Sequence, residues 1–207
     1  MGPLNRTVAG LVLAAGQGRR YGGPKALVEL GGRLLVDRAV GVLTDGGCGP
    51  VTVVLGASAD EVVRRADLGG TRTVLNAAWA TGMGSSLRAG LAALAETDAD
   101  AAVVLLVDTP GIGAAAVRRL AGYAAPDAVA VATYDGRRGH PVVLGRQHWA
   151  EVARLAEGDA GARPFLLARP ELVTPVPCED IADGADVDVP ADLPEGASAA
   201  DRGHRPR

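Results

Sequence analysis

Short apolar runs that end at glycine or at a polar residue recur along this chain, and they constrain its fold more than any other feature. The clearest of them span residues 7–14, 51–55 and 101–107, and each has the length of a buried strand. Segments with the spacing of helices lie between these runs. Strands that alternate with helices are typical of a parallel sheet that is covered on both faces. The sequence therefore predicts an α/β fold, in which a doubly wound, mostly parallel sheet is flanked by helices within a single domain.

The remaining elements continue this alternation. Helices are predicted over residues 34–43, 59–66, 87–95, 114–124 and 148–156, further strands over 71–75, 128–133, 141–144 and 186–193, and a polar turn over 134–139. We expect one domain over residues 7–193. Residues 194–207 are small and polar, with proline and glycine among them, and this composition predicts a disordered tail.

The composition argues against several classes of partner. A net charge of −3 argues against binding to nucleic acid or to an anionic membrane surface, because such proteins usually present a basic face. No apolar run approaches the ~20 residues that span a bilayer, so we expect a cytoplasmic protein. Cys48 and Cys178 lie far apart, without the spacing of a zinc site or of a disulfide framework. Any phosphate-binding site must therefore be a local feature.

Residues 12–25 begin as the end of the first apolar run and then become rich in glycine and positive charge. Glycines allow backbone N–H groups to approach a ligand closely, while Arg19, Arg20 and Lys25 supply charge for an anion. This combination predicts a cradle for a phosphate chain. The dinucleotide-binding pattern is out of register because Tyr21 stands where its third glycine belongs, and no serine or threonine follows Lys25 as a Walker A loop requires. A glycine-rich turn with solvated arginines is the alternative.

Two further segments are expected at the same edge of the sheet, since ligands bind beyond the carboxyl ends of parallel strands. Asp108 directly follows the fourth strand, and its carboxylate suits a hard cation such as Mg²⁺, although such a residue also caps turns. Residues 76–86 follow the third strand and offer hydroxyls and a helix start to a nucleotide base, sugar or anion. An ordinary helix cap formed by the serines is the alternative there.

Other polar residues are candidates for the rest of the site. Asp186 and Asp188 alternate as in a strand, so both face one side, and one of them is a candidate metal ligand beside Asp108. A solvated acidic strand is the alternative interpretation. His140, between a glycine and a proline, is either a residue of the acceptor site or a structural histidine.

The segment Leu13–Lys25 closely resembles the signature L-A-[AG]-G-x-[GS]-x-R-x-G-x-x-K of nucleotidyltransferases that activate sugars, alcohols and cofactors. Further matches resemble the molybdenum cofactor cytidylyltransferase branch of these MobA-like NTP transferases, namely Asn76, Gly82-Met83-Gly84-Ser85-Ser86, Asp108-Thr109-Pro110, Gly139-His140-Pro141, Gly158-Asp159-Ala160-Gly161-Ala162-Arg163 and Asp186-Val187-Asp188. The resemblance covers residues 8–193. Thr109 and Val189 depart from the residues usual in this branch, and we expect them to affect the choice of acceptor.

The resemblance implies transfer of a nucleoside monophosphate from an NTP to a phosphate on the molybdopterin cofactor, with release of pyrophosphate and with Mg²⁺ as cofactor. Ala15 matches the CTP-using enzymes rather than the GTP-using ones, so CMP is the favoured group. The implied catalytic residues are Arg20, Lys25 and Asp108, and the implied metal ligands are Asp108 and Asp188. The implied nucleotide-binding residues are Leu13, Ala14, Ala15, Gly16, Gly18, Arg20, Lys25, Asn76, Gly82, Ser85 and Ser86, and the implied acceptor-binding residues are Gly139, His140 and Asp159. Contact with molybdoenzymes is a further expectation.

Two other functions are compatible with the same residues. Similar proteins of this branch have been assigned to the NAD(P)H-dependent reduction of nicotine blue, a pigment derived from nicotine. A nucleotide cleft can accept a dinucleotide, although the out-of-register glycines support this reading only weakly. The third possibility is a non-catalytic chaperone that binds the molybdenum cofactor and inserts it into a partner enzyme.

Overall fold

A computed structural model describes residues 6–193, and a seven-stranded sheet runs through its centre. In chain order the strands are β1 (Val8–Ala14), β2 (Glu29–Leu30), β3 (Arg33–Leu34), β4 (Val51–Leu55), β5 (Arg72–Leu75), β6 (Ala101–Leu106), β7 (Val129–Tyr134), β8 (Arg137–Gly145) and β9 (Val173–Pro177). The helices are α1 (Leu35–Asp45), α2 (Ala59–Arg65), α3 (Met83–Ala95), α4 (Ala114–Ala121), α5 (Trp149–Leu155) and α6 (Arg163–Ala168).

The order of strands in the main sheet is β5-β4-β1-β6-β8-β7-β9, while β2 and β3 form a separate small hairpin. Neighbouring strands pair in parallel except at β8, which is antiparallel to both β6 and β7. The predicted α/β class with a mostly parallel sheet is therefore confirmed. Within residues 6–193, no helix is both long and apolar enough to cross a membrane.

Helices cover both faces of the sheet, as the apolar character of the strands requires. Successive side chains of a strand point to opposite faces, and β1 follows this rule. Its Val12 and Ala14 pack into the core with α1, α2 and α4, whereas Leu11 and Leu13 pack into the core with α3, α5 and α6. All four side chains are at most 7% exposed. Burial on both faces of the sheet explains why the sequence of this strand is continuously apolar rather than alternating.

Three predicted elements differ from the structure. The helix expected from residue 87 already begins at Met83, so Ser85 and Ser86 lie in its first turn and do not cap it. The predicted polar turn over 134–139 is reduced to Asp135 and Gly136, because β8 starts at Arg137. Both turn residues have positive φ, of 50° and 75°, which is the conformation that a two-residue hairpin turn requires.

The predicted strand over 186–193 is not formed. The Val187 N–H donates to the Asp108 carbonyl oxygen at 2.8 Å, but no ladder continues from this bond within the described part of the chain. A short 3-10 helix follows instead at Pro190–Asp192, and the Asp192 carboxylate accepts hydrogen bonds from the N–H groups of Asp188 and Val189, each at 2.9 Å. The segment is thus held beside β6 by individual hydrogen bonds rather than by strand pairing. The predicted tail over 194–207 lies outside the described residues, and the predicted extent of the domain stays a prediction.

Candidate active site

A cleft of about 570 Å³ opens at the carboxyl edge of the parallel strands. Most of its lining comes from the loop after β1, from residues 79–86, and from the end of β6. These are the three segments that the sequence predicted to meet at one edge. Of the predicted site residues, the cleft is lined by Leu13, Ala15, Gly16, Gly18, Arg20, Lys25, Gly82, Ser86, Asp108, Asp159 and Asp188.

The glycine-rich loop after β1 folds back on itself. The Gly18 carbonyl oxygen accepts hydrogen bonds from the N–H groups of Gly22 at 2.9 Å and Gly23 at 3.2 Å. Gly18 has a φ of +61°, and a Cβ added there would collide with the Gly23 carbonyl oxygen. A side chain is therefore excluded at this position. A Cβ at Gly16, by contrast, would meet nothing within 4 Å, because that position faces the open cleft.

Four charged side chains, which we call the charged cluster, meet in the cleft: Arg20, Lys25, Asp108 and Asp188. Lys25 Nζ donates to Asp108 Oδ2 at 2.8 Å and to Asp188 Oδ1 at 2.9 Å, and Arg20 Nη1 lies 2.9 Å from Asp188 Oδ2. The Lys25 side chain is only 14% exposed, whereas the Arg20 side chain is 75% exposed. Charge-assisted bonds of this length are strong when they are shielded from water. The cluster therefore joins three segments of the chain around one ammonium group.

Hydrogen bonding sets the protonation of this cluster. Partial burial alone would lower the pKa of Lys25, but its hydrogen bonds to Asp108 and Asp188, together with their negative charge, more than offset this and raise the pKa. The hydrogen bond from Lys25 lowers the pKa of Asp188, and Arg20 acts in the same direction. Both groups are thus held in their charged forms at neutral pH. The pKa of Asp186 is raised by partial burial and by repulsion from Asp108 and Asp188.

The donor set suits a hard divalent cation. The carboxylates of Asp108 and Asp188 converge on one point, which Lys25 Nζ now fills, and Asp186 also lines the cleft. Mg²⁺ is commonly held by one or two carboxylates together with waters and substrate phosphates. No group of three or more His, Cys, Asp or Glu side chains between residues 6 and 193 is already arranged as a metal site. The residues present therefore fit a cation that shares its ligands with a phosphate-bearing substrate.

Three predicted nucleotide-binding residues lie beneath the surface of the cleft. The Asn76 amide donates to the hydroxyls of Ser85 at 2.8 Å and Ser86 at 3.0 Å, and Ser85 in turn donates to the carbonyl oxygens of Ala78 and Gly82. The side chains of Asn76 and Ser85 therefore form their hydrogen bonds within the protein. The Ala14 side chain is 2% exposed and belongs to the core. The side chains of all three are buried away from the cleft, and their part in nucleotide binding stays a prediction.

Of the three predicted acceptor-binding residues, one lines the cleft and two do not. Asp159 lines the cleft beside Gly82, where an added Cβ would lie 2.7 Å from Asp159 Oδ1. Gly139 and His140 are at the start of β8 and do not line the cleft. Tyr134 fixes this strand end, because its hydroxyl donates to the His140 carbonyl oxygen at 2.7 Å. Burial lowers the pKa of His140 to about 4, although the charge of Asp108 opposes this shift, so the imidazole is neutral at pH 7.

Six uncharged lining residues were not singled out from the sequence, although three of them lie within residues 76–86: Gln17, Trp79, Ala80, Met83, Leu106 and Val107. Trp79 is the most informative of these. The sequence holds only two tryptophans, three tyrosines and one phenylalanine, so an aromatic residue four positions after the end of a predicted strand was a signal that could have been followed.

Comparison with known proteins gives a family match and several relatives. The MobA-like NTP transferase domain family matches residues 10–173. A nicotine blue oxidoreductase from Paenarthrobacter nicotinovorans is 44% identical over 189 residues, which make up 87% of this chain and 92% of that protein. A molybdenum cofactor guanylyltransferase from Cereibacter sphaeroides is 42% identical over 130 residues, or 62% of this chain and 63% of the relative.

A solved structure of Rv0371C from Mycobacterium tuberculosis, in complex with manganese, superposes with a TM-score of 0.72 at 27% identity. The match covers 90% of this chain and 92% of that one. The family match spans most of the present chain and includes the glycine-rich loop, Lys25 and Asp108. The chain therefore belongs to the MobA-like NTP transferase domain family.

Proposed function

We propose that this protein transfers a nucleoside monophosphate, with CMP favoured, from an NTP to the phosphate of a molybdopterin-type acceptor and releases pyrophosphate. The observation that carries the proposal is the convergence of Lys25 Nζ, Asp108 and Asp188 beside an open glycine-rich loop. Such a site supplies positive charge and metal-binding carboxylates at the place where a phosphate chain would lie. No nucleophilic side chain is needed for this chemistry.

The reaction is an in-line displacement. A phosphate oxygen of the acceptor attacks the α-phosphorus of the NTP, the bond from that phosphorus to the oxygen bridging to the β-phosphate breaks, and pyrophosphate leaves. Lys25 and Arg20 offset the negative charge of the triphosphate, and the open space at Gly16 admits it to the loop backbone. Asp108 and Asp188 would hold a divalent cation, which would polarise the phosphate oxygens and orient them.

Ala15 supports CTP over GTP. This alanine matches the residue that the CTP-using enzymes of the resembled family carry at this position, where the GTP-using enzymes carry glycine. Since the molybdenum cofactor relatives matched here are guanylyltransferases, both nucleotides belong in the test. Contact with molybdoenzymes that receive the product is part of the same proposal.

The test is direct. The purified protein is incubated with CTP or GTP, Mg²⁺ or Mn²⁺, and molybdopterin; we expect pyrophosphate release and a dinucleotide form of the cofactor by mass spectrometry. Asp108→Asn should lower the rate at which both signals appear by about 10³-fold, whereas Asp60→Asn, at an exposed carboxylate on α2, should leave it unchanged. A chain that binds molybdopterin but releases no pyrophosphate with any NTP would instead be a cofactor chaperone.

A second candidate function rests on a different observation. The nicotine blue oxidoreductase shares 44% identity over almost its whole length, so an NAD(P)H-dependent reductase on the same scaffold is the alternative. Incubation with NADPH and a quinoid dye tests it by the loss of absorbance. Dye reduction without pyrophosphate release from any NTP would replace the transferase proposal with this one.

A further inference from the structure

We infer that Trp79 is the residue on which the planar heterocycle of the bound ligand stacks, and that it sets which ring the cleft accepts. Of the aromatic side chains between residues 6 and 193, Trp79 alone lines the cleft. The inference rests on the proposed function in one respect, because the ring belongs to the same molecule whose phosphates the glycine-rich loop would hold.

The position of Trp79 is built into the sheet. Gly56 directly follows β4, and a Cβ added at Gly56 would lie 2.5 Å from the Trp79 Cβ and 2.8 Å from the Ala15 carbonyl oxygen. Only a glycine at this position allows Trp79 to pack so closely against the end of β4, next to the Ala15 carbonyl oxygen at the end of β1. The indole therefore stands beside the start of the glycine-rich loop, within reach of a ligand whose phosphates occupy that loop.

The segment that carries Trp79 is fixed before any ligand arrives. Asn76 Oδ1 accepts a hydrogen bond from the Ala78 N–H at 3.0 Å, and the Asn76 carbonyl oxygen accepts one from the Trp79 N–H at 3.3 Å. The Trp79 carbonyl oxygen accepts from the Gly82 N–H at 3.1 Å. The Asn76 amide ties the segment to the hydroxyls of α3. A segment that is already fixed in this way loses little conformational freedom when a ligand binds.

The neighbours of Trp79 also suit a ring. Ala80, Met83 and Leu106 line the same cleft and bring apolar surface to it. The Asp159 carboxylate, beside Gly82, offers an acceptor for ring N–H or amino groups. The ligand that fits these groups is a planar nitrogen heterocycle joined to phosphate. The base of an NTP, the pterin of the acceptor and the nicotinamide of a dinucleotide all have this chemistry.

The two tryptophans make the test sensitive. Trp149 is 4% exposed and its indole N–H donates to the Leu144 carbonyl oxygen at 2.8 Å, so its emission serves as an internal reference. Wild type, Trp79→Leu and Trp79→Phe are titrated with CTP, GTP, a phosphorylated pterin, NADPH and inorganic triphosphate. Tryptophan fluorescence and calorimetry follow the binding, and Tyr123→Leu, at an aromatic residue that does not line the cleft, is the matched control.

We expect at least one ring-bearing ligand to quench Trp79, and Trp79→Leu to bind that ligand about 5- to 150-fold more weakly, which corresponds to the loss of ~1–3 kcal/mol of stacking. Trp79→Phe should retain most of the affinity, and inorganic triphosphate should bind all variants equally. Equal weakening of triphosphate and ring ligands in both variants, or no weakening at all, would overturn the inference. Quenching without pyrophosphate release would uphold it while removing the transferase function.

Discussion

Two parts of the cleft are built in different ways. The charged cluster of Arg20, Lys25, Asp108 and Asp188 joins side chains from three distant segments through ion pairs. The ring wall, by which we mean Trp79, Gly82, Met83 and Asp159, is placed mainly by backbone hydrogen bonds and close glycine contacts. Charge develops on phosphate oxygens during transfer, so the cluster should control the rate. The wall should control which ligand binds and how tightly.

The largest effect is expected at Asp108. Asp108→Asn removes a charge from the cluster but keeps the shape of the side chain, and we expect the rate of pyrophosphate release to fall by about 10³-fold. The affinity for a ring ligand should change little, and thermal unfolding should show an intact fold. A variant that keeps near wild-type turnover would remove Asp108 from the charged cluster's function.

Lys25→Met should lower the rate by about 10²–10³-fold, because one preorganised charge contact to the phosphates is lost. The same variant gives a second readout. Lys25 Nζ fills the point where two carboxylates converge, so its removal should tighten Mn²⁺ binding in the absence of nucleotide by about tenfold, measured by electron paramagnetic resonance.

Arg19→Met is the matched control for Lys25. It removes one positive charge from the same loop, but the polar contact of Arg19 is with Gln17 rather than with the carboxylates. Its Mn²⁺ affinity should stay close to that of the wild type. If Lys25→Met binds Mn²⁺ no better than Arg19→Met, then the ammonium group does not compete with a cation for Asp108 and Asp188.

A smaller effect is expected where the ring wall is anchored. Asn76→Ala removes the amide bonds to two hydroxyls and the bond to the Ala78 N–H, and the free energy of unfolding should fall by about 2–3 kcal/mol. Affinity for ring ligands should weaken with it, while inorganic triphosphate still binds. Denaturant unfolding and calorimetry measure both.

Thr52→Val is a useful control for this variant. The Thr52 hydroxyl is buried in β4, and no hydrogen-bond partner for it occurs between residues 6 and 193. Its removal should therefore cost no stability. Equal losses in Asn76→Ala and Thr52→Val would mean that the Asn76 network contributes nothing specific to the wall.

The smallest effect concerns His140. Its folded-state pKa of about 4 lies below the ordinary value of 6.5. Between these two pH values His140 is therefore protonated in the unfolded chain but neutral in the folded chain. The stability linked to His140 is complete above pH 6.5 and is lost as the pH falls toward 4. Because His140 is only partly buried, solvent screens part of this effect, and over that window wild type should lose about 1–2 kcal/mol more than His140→Asn, measured by denaturant unfolding at each pH. Parallel stability curves for the two proteins would contradict this.

Local pattern was enough to predict the parallel half of the molecule. The strands β1, β4 and β6 fall within one residue of their predicted bounds, and the segments after β1, β5 and β6 meet in one cleft. These features follow from apolar runs and from the rule that ligands bind at the carboxyl edge. The antiparallel direction of β8 and the failure of residues 186–193 to form a strand did not follow, because both depend on partners far away in the sequence.

The sequence by itself therefore determined the class of fold, the glycine-rich loop and the presence of a carboxylate after β6. Only the tertiary structure decided which polar groups remain free for a ligand. It turned Asn76 and Ser85 inward to bind each other, brought Lys25 onto two carboxylates that lie 83 and 163 residues further along the chain, and exposed Trp79 to the cleft. The physical reason is that a side chain's hydrogen-bond partners, unlike its helical or strand periodicity, are supplied by packing between distant segments.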